Sequence, residues 1–226
     1  MGKDLNMKPV LILGTGAQAK YATDIFLNQG RNLIGLLGLP DETPPANIGD
    51  IPVIGGFDNF SSVYNKADRP DILVCCANNT KKEEIVRQLD SFTVNYTSAI
   101  HPRAVISKSA VIGEGTIVNA CAVIQPFARI GCHVMIHAGA IVEHDCCVND
   151  FVNIAPRATL AGHVRVGKGT TVFAGSVVLP SVNIGDGAIV GAGAVVRNDV
   201  SEGQTVVGCP AVPIKQFRRR DGVENV

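Results

Sequence analysis

The chain has 226 residues, with 20 lysines and arginines against 20 aspartates and glutamates, for a formal net charge of zero. That balance offers no electrostatic footprint for nucleic acid or an anionic membrane, and no apolar run approaches the roughly 18 residues of a membrane span. Nothing before Val10 has the length or apolarity of a signal peptide, and seven cysteines without CxxC pairing read as reduced thiols, so a cytoplasmic protein is expected.

The length allows two small domains, and the pattern changes character near residue 98. Residues 9–13 read as a buried strand and 17–29 as a helix presenting Tyr21, Ala22, Ile25 and Phe26, with Gly30 as its stop. Residues 33–37 form the second strand, 39–50 a polar, proline-rich loop, 51–54 a short strand, and 57–64 a helix presenting Phe57, Phe60 and Val63. A buried strand at 71–76 precedes a helix opened by a Thr80/Glu83 capping box, with Ile85, Val86 and Leu89 inward; residues 93–97 lead onward. Strands separated by helices imply a parallel sheet, here half the length of a full dinucleotide-binding fold. The expected division is 1–98, a Rossmann-like domain, and 99–226, a β-solenoid with a C-terminal tail whose basic stretch, 215–220, reads as solvated.

Gly14-Thr15-Gly16-Ala17-Gln18-Ala19 follows the first strand and opens a helix, where backbone N–H groups can meet a phosphate. The second strand ends Leu37-Gly38-Leu39-Pro40, with no acid before Asp41 to hold a ribose, which argues against NAD and for a single nucleoside diphosphate. Ligands of such sheets lie at the strand C-termini, so Cys76-Ala77-Asn78-Asn79 should stand beside the glycine turn.

From Ile100 to Val196 an aliphatic residue falls at every sixth position, seventeen times in one register, with a mostly small residue four places after each. A fixed period of six fits neither helix nor alternating strand and argues for a parallel β-solenoid: one short strand and one corner per hexad, three hexads per coil, so that residues eighteen apart stack. At about 4.8 Å per coil the prism is about 26 Å long, with no extruded loop. Gly113, Gly115, Gly167, Gly169, Gly185, Gly187, Gly191 and Gly193 fall at corners and are assigned to unusual φ values.

Of the five histidines, His144 in Glu143-His144-Asp145 stands out, since both it and Asp145 lie outside the inward columns and a neighbouring carboxylate can orient an imidazole. Such a pair can take up a proton, and Gly162, eighteen residues on, stacks one coil above it. His163 stacks above Asp145 without an assigned role. A zinc site from His133, His137 and His144 is a weaker reading, because they occupy the fourth, second and third places of their hexads; no metal is expected.

The hexads resemble the left-handed parallel β-helix of hexapeptide-repeat acyltransferases. With the glycine turn, Ala77-Asn78-Asn79, Ile100-His101-Pro102 and Gly208-Cys209-Pro210-Ala211, the whole chain resembles the nucleotide-sugar N-acetyltransferases of the sialic acid O-acetyltransferase-like subgroup. It departs from the family's Gly-His-Gly in the turn, having Ala17-Gln18-Ala19, and lacks acids directly after the second strand. The resemblance implies an α/β domain followed by a left-handed β-helix, acetyl-CoA as co-substrate, and a nucleotide-linked amino sugar as acceptor, acetylated at its C4 amine for cell-surface glycan synthesis. It implies His144 and Asp145 as catalytic, and Gly14, Thr15, Gly16, Ala77, Asn78 and His137 as substrate contacts. Asn153 would stand where relatives carry a second histidine against the acetyl group, with Gly162, Ala174, Gly175, Gly191 and Ala192 along coenzyme A. It further implies a homotrimer with active sites between subunits. The alternatives are O-acetylation of a sugar hydroxyl and a non-catalytic nucleotide-sugar-binding protein.

Overall fold

The computed structural model describes residues 8–214; the basic stretch 215–220 lies outside the described residues. Strand β1 (Val10–Leu13) is wholly buried because helices cover both faces of a parallel sheet. It pairs in parallel with β2 (Leu33–Gly38) and β5 (Asp71–Val74), and β2 pairs with β4 (Ile51–Gly56). The 39–50 segment contains a two-residue strand, β3 (Asn47–Ile48), which pairs antiparallel with β4 at the sheet edge, giving the order β3-β4-β2-β1-β5. The connections reverse direction about β1, so the cleft beyond the C-terminal ends of β1 and β5 is the switch point at which such sheets bind ligands.

Helix α1 (Ala17–Asn28) buries Gln18, Ala19, Ala22, Thr23, Ile25 and Phe26, while Tyr21, expected inward, is exposed. A single 3₁₀ turn at Phe57–Asn59 leads into α2 (Phe60–Lys66), which buries Phe60 and Tyr64. Helix α3 (Asn79–Leu89) is capped by Asn78, whose Oδ1 accepts from the Lys81 amide at 3.0 Å; the Thr80/Glu83 pair lies inside the helix instead. Glu83 reaches outward to Lys168 of the prism at 2.8 Å.

Beyond residue 98 the chain winds into a left-handed parallel β-helix. Seventeen two-residue strands run from Ala99–Ile100 to Val195–Val196, one every six residues, each ending on the expected aliphatic residue. Residues eighteen apart pair, as in Val123 with Ile141, and build three faces. Face I carries Ala99, Ile117, Met135, Asn153, Thr171 and Ile189 outward; face II carries Val105, Val123, Ile141, Thr159, Val177 and Val195; face III carries Val111, Arg129, Cys147, Arg165 and Asn183. The inward aliphatic and small residues form one continuous core. An antiparallel strand, Val212–Ile214, pairs with Thr205–Val207 and ends the face I sheet.

The corner glycines have two causes rather than one. From Gly115 to Gly193 the fourth residue of each hexad turns left-handed, as at Gly115 with φ +68°. Gly113, at the second place, has no such φ; a Cβ there would lie 2.5 Å from the backbone of Gly131 on the next coil. Close stacking, not backbone freedom, also fixes Gly167 and Gly185.

The sheet domain sits on face I. Ala99, Ile117 and Met135 are buried in one cluster with Ala19, Ala22 and Ile25 of α1, and the Asn79 amide donates to Gly169 O at 3.0 Å and Thr171 Oγ1 at 3.2 Å. His133 fills the seam, stacked on Phe151 at 5.1 Å and edge-on to Tyr96 at 4.7 Å. It is a packing residue, far from any shared metal set with His144. Lys82, 2% exposed, lies against it with Nζ 3.4 Å from His133 O, and burial pushes the Lys82 amine down to about 8.

Burial, and after it the charge of Lys82, holds His133 at a pKa of about 4, against 6.5 for the free side chain. The unfolded chain therefore takes up a proton between pH 6.5 and 4 that the folded chain refuses, so stability present above pH 6.5 is lost as pH falls toward 4. Thermal melts across that window should show a steep decline in Tm. His133→Phe, which keeps the stacking, should make the decline shallower; an unchanged slope would contradict this role.

Candidate active site

Gly14 joins the first strand to α1 with φ +115°, and a Cβ there would lie 2.1 Å from Cys75 O, so glycine is required for β5 to end against the turn. Thr15, on the same turn, donates its amide (3.0 Å) and hydroxyl (2.9 Å) to Glu42 Oε2, which also accepts from the Leu39 amide at 2.9 Å. The acid missing directly after β2 is thus supplied by the following loop, which folds back onto the turn. The spacing of Glu42, one residue past Asp41, carries no signal, because the loop's return depends on tertiary packing. Gly16 is the N-cap of α1, with no side-chain cap and open space where a Cβ would point; its nearest neighbour there is Glu42 Oε1 at 4.0 Å. A cleft of about 260 Å³ is lined by Pro40 and Asp41 of the loop after β2 and by Asn78, Thr80, Lys81 and Glu84 at the start of α3, with no residue of the glycine turn among its walls. Asn78 spends its Oδ1 on capping α3, and Ala77 is exposed beside it.

His144 and Asp145 occupy the corner between faces II and III. Asp145 adopts φ +58°, a left-handed conformation that aspartate tolerates better than most residues, and this turns its carboxylate back on the preceding ring. Asp145 Oδ2 lies 2.9 Å from His144 Nδ1. A carboxylate there fixes the tautomer with hydrogen on Nδ1, leaving the Nε2 lone pair free to accept a proton. Nε2 faces Gly162 on the next coil, where a Cβ would lie 2.6 Å from both Cε1 and Nε2, so the imidazole rests on the bare backbone. His163, with φ +62°, stands above Asp145 with its ring perpendicular to that of His144, centroids 5.1 Å apart.

The remaining candidates fall into two groups elsewhere on the prism. His137 lies where face I ends, mostly buried and edge-on to Tyr21 at 6.0 Å. Burial lowers its pKa to about 4, against a smaller opposing effect from the hydrogen bond of Asn153. Asn153, nine residues past His144, is half a coil away; it lies on face I and not beside His144 in the same chain. Ala174, Gly175, Gly191 and Ala192 line the corner between faces I and II on adjacent late coils, separated from His144 by the full width of face II.

Residues 163–198 match the family model described as bacterial transferase hexapeptide (six repeats). The structure of a histidine-to-alanine variant of GDP-perosamine N-acetyl transferase from Caulobacter crescentus, in complex with CoA and GDP-perosamine, is similar with a TM-score of 0.87 at 30% identity, over 95% of this chain and 100% of that one. The chain belongs to the hexapeptide-repeat transferases. A second member of the family that it resembles is the acetyltransferase domain of PglB from Neisseria gonorrhoeae FA1090, in complex with acetyl coenzyme A (TM-score 0.85, 31% identity, 92% of this chain and 100% of that one). By sequence it is 31% identical to the GDP-perosamine N-acetyltransferase of Escherichia coli O157:H7 over 105 residues, 46% of this chain and 48% of that protein. The chain thus aligns with about half the length of that curated relative. No helix among the described residues is long and apolar enough to cross a membrane.

For this transferase the contact between Gly162 and the His144 ring is directly testable. Gly162→Ala should push the imidazole off the backbone and break its bond to Asp145, lowering turnover by about 10²-fold, as expected for a displacement on the order of 1 Å. Tm should barely move, because the φ of Gly162 is ordinary. Wild-type turnover would show that the ring position is unimportant.

Proposed function

We propose that the protein transfers the acetyl group of acetyl-CoA to an amine, the C4 amine, of a nucleotide-linked amino-deoxy sugar, in the cytoplasm, as a step in cell-surface glycan synthesis. The observation that carries this reading is the oriented His144–Asp145 pair on a hexapeptide prism that also carries a glycine-turn domain. Relatives of the same two-part build are named as N-acetyltransferases and are seen with CoA and GDP-perosamine. The seven thiols, all unpaired, suit a reducing compartment.

In this reading the sugar nitrogen attacks the thioester carbonyl while His144 Nε2 takes the proton, and Asp145 stabilises the imidazolium. The carbonyl oxygen becomes an oxyanion beside the Gly162 amide. Collapse expels the CoA thiolate, which recovers the proton from His144. The nucleotide lies at Gly14, Thr15 and Gly16 and the cleft near Ala77 and Asn78, with Glu42 bracing the turn and turning Oε1 toward the ligand. No metal takes part.

These pieces do not meet in one copy. The sheet domain covers face I, whereas His144 stands on the opposite corner, between faces II and III. Face II is an apolar stripe of Val105, Val123, Ile141, Val177 and Val195, broken only by Thr159, and it separates His144 from the corner of Ala174, Gly175, Gly191 and Ala192. We place face II against a neighbouring prism in a homotrimer, so that the base of one copy meets the coenzyme wall and the His137 and Asn153 edge of the next.

His144→Ala leaves the inward columns intact, so Tm should hold while kcat/KM falls by about 10²–10⁴. Asp145→Asn should cost less, since the imidazole remains but its tautomer is no longer enforced. Acetyl transfer measured as thiol release, with amino-sugar nucleotides as acceptors, checks both; near-wild-type His144→Ala would overturn the assignment.

A further inference from the structure

We propose that His144, Asp145 and His163 form a binding site for a zinc-class divalent cation, and that occupation of this site switches the transferase off. Binding stands on geometry alone; the inhibitory consequence rests on the proposed role of His144.

One donor atom from each of the three side chains lies within 4.8 Å of the other two. Asp145 Oδ2 is 2.9 Å from His144 Nδ1 and 4.0 Å from His163 Nε2. Zinc held at about 2.0–2.2 Å in tetrahedral geometry needs donors about 3.3 Å apart, so side-chain rotations must open the first spacing slightly and close the other two, 4.0 Å and at most 4.8 Å. The backbone beneath is fixed: His163 N donates to His144 O at 3.0 Å, and Asp145 N to Pro126 O at 3.1 Å. All three side chains are about half exposed, which leaves water free to take the fourth position. Two imidazoles and one carboxylate suit Zn²⁺, Cu²⁺ or Ni²⁺ rather than Mg²⁺ or Ca²⁺.

The chemistry of inhibition follows from the tautomer. In the active pair Nδ1 of His144 carries the hydrogen and Nε2 is the base. A cation takes the Nδ1 lone pair, so the single hydrogen of the neutral imidazole moves through water from Nδ1 to Nε2. The nitrogen facing Gly162 becomes a donor and can no longer accept the substrate's proton.

The test uses the full chain in a Cys121→Ser/Cys209→Ser background, which removes the two exposed thiols as competing ligands. After chelator treatment, Zn²⁺ is titrated against a chromophoric chelator, and Co²⁺ is added separately to read the visible bands of a four-coordinate site. One Zn²⁺ per chain, a four-coordinate Co²⁺ spectrum, and inhibition reversed by EDTA are expected. His163→Gln should weaken binding and raise the half-inhibitory Zn²⁺ concentration by at least about tenfold, while the metal-free variant stays active. Zn²⁺ binding undiminished in His163→Gln would overturn the site. Binding without inhibition, or activity lost on chelation, would overturn the switch. If the metal-free wild type transfers no acetyl group at all, the functional reading fails, and the binding titration still decides the site.

Discussion

The eighteen-residue coil is the constraint on which the rest depends. Once each hexad contributes one two-residue strand and one corner, the β-ladder sets every residue one strand spacing from those eighteen before and after it, and side-chain direction follows from place in the hexad. His144 rests on Gly162 and Asp145 lies beneath His163 for this reason alone. The price of such rigidity is left-handed backbone at the fourth place, borne by non-glycine residues at Phe127, His133, Asp145, Phe151 and His163 among others. At Asp145 that conformation also aims the carboxylate at the ring before it.

A prism of this kind has three outward faces, and each has a different chemistry. Face I is sealed by the sheet domain through Ala99, Ile117 and Met135, with Asn79 and the Lys168–Glu83 pair tying α3 to the corner beside it. Face III carries Arg129 and Arg165 into solvent. Face II, apolar but for Thr159, has no partner among the described residues, which is why the assembly proposed above uses it. The Lys82 amine is buried under the sheet domain, close to His133, and that burial lowers its pKa.

Much of this was legible in the sequence because the hexad signal is local and periodic. All seventeen strands end on the expected residues, and the helices and strands of the sheet domain lie within a few residues of their expected places. What escaped depends on contacts between distant segments. Glu42 returns to the glycine turn through a loop whose path no local pattern specifies. Lys82 sits at a position that reads as surface, on a helix whose Glu83 and Arg87 are indeed outward. Gly113 and Gly167 look like turn glycines but are small because the neighbouring coil leaves no room. Asn153 matched a family position by spacing; nine residues is half a coil, so in one chain it lies across the prism from His144.

The central claim is that the base and the nucleotide-sugar site of one active centre come from different copies of the chain. Subunit exchange tests it most directly. His144→Ala removes the base, and Gly16→Val places a side chain at the open mouth of the glycine turn; each homo-oligomer should be inactive or nearly so. If the account is right, mixing the two under conditions that exchange subunits restores activity, because some interfaces pair an intact base with an intact turn. If base and turn act within one chain, each mixed chain still carries one defect, and activity stays at the sum of the two inactive parents.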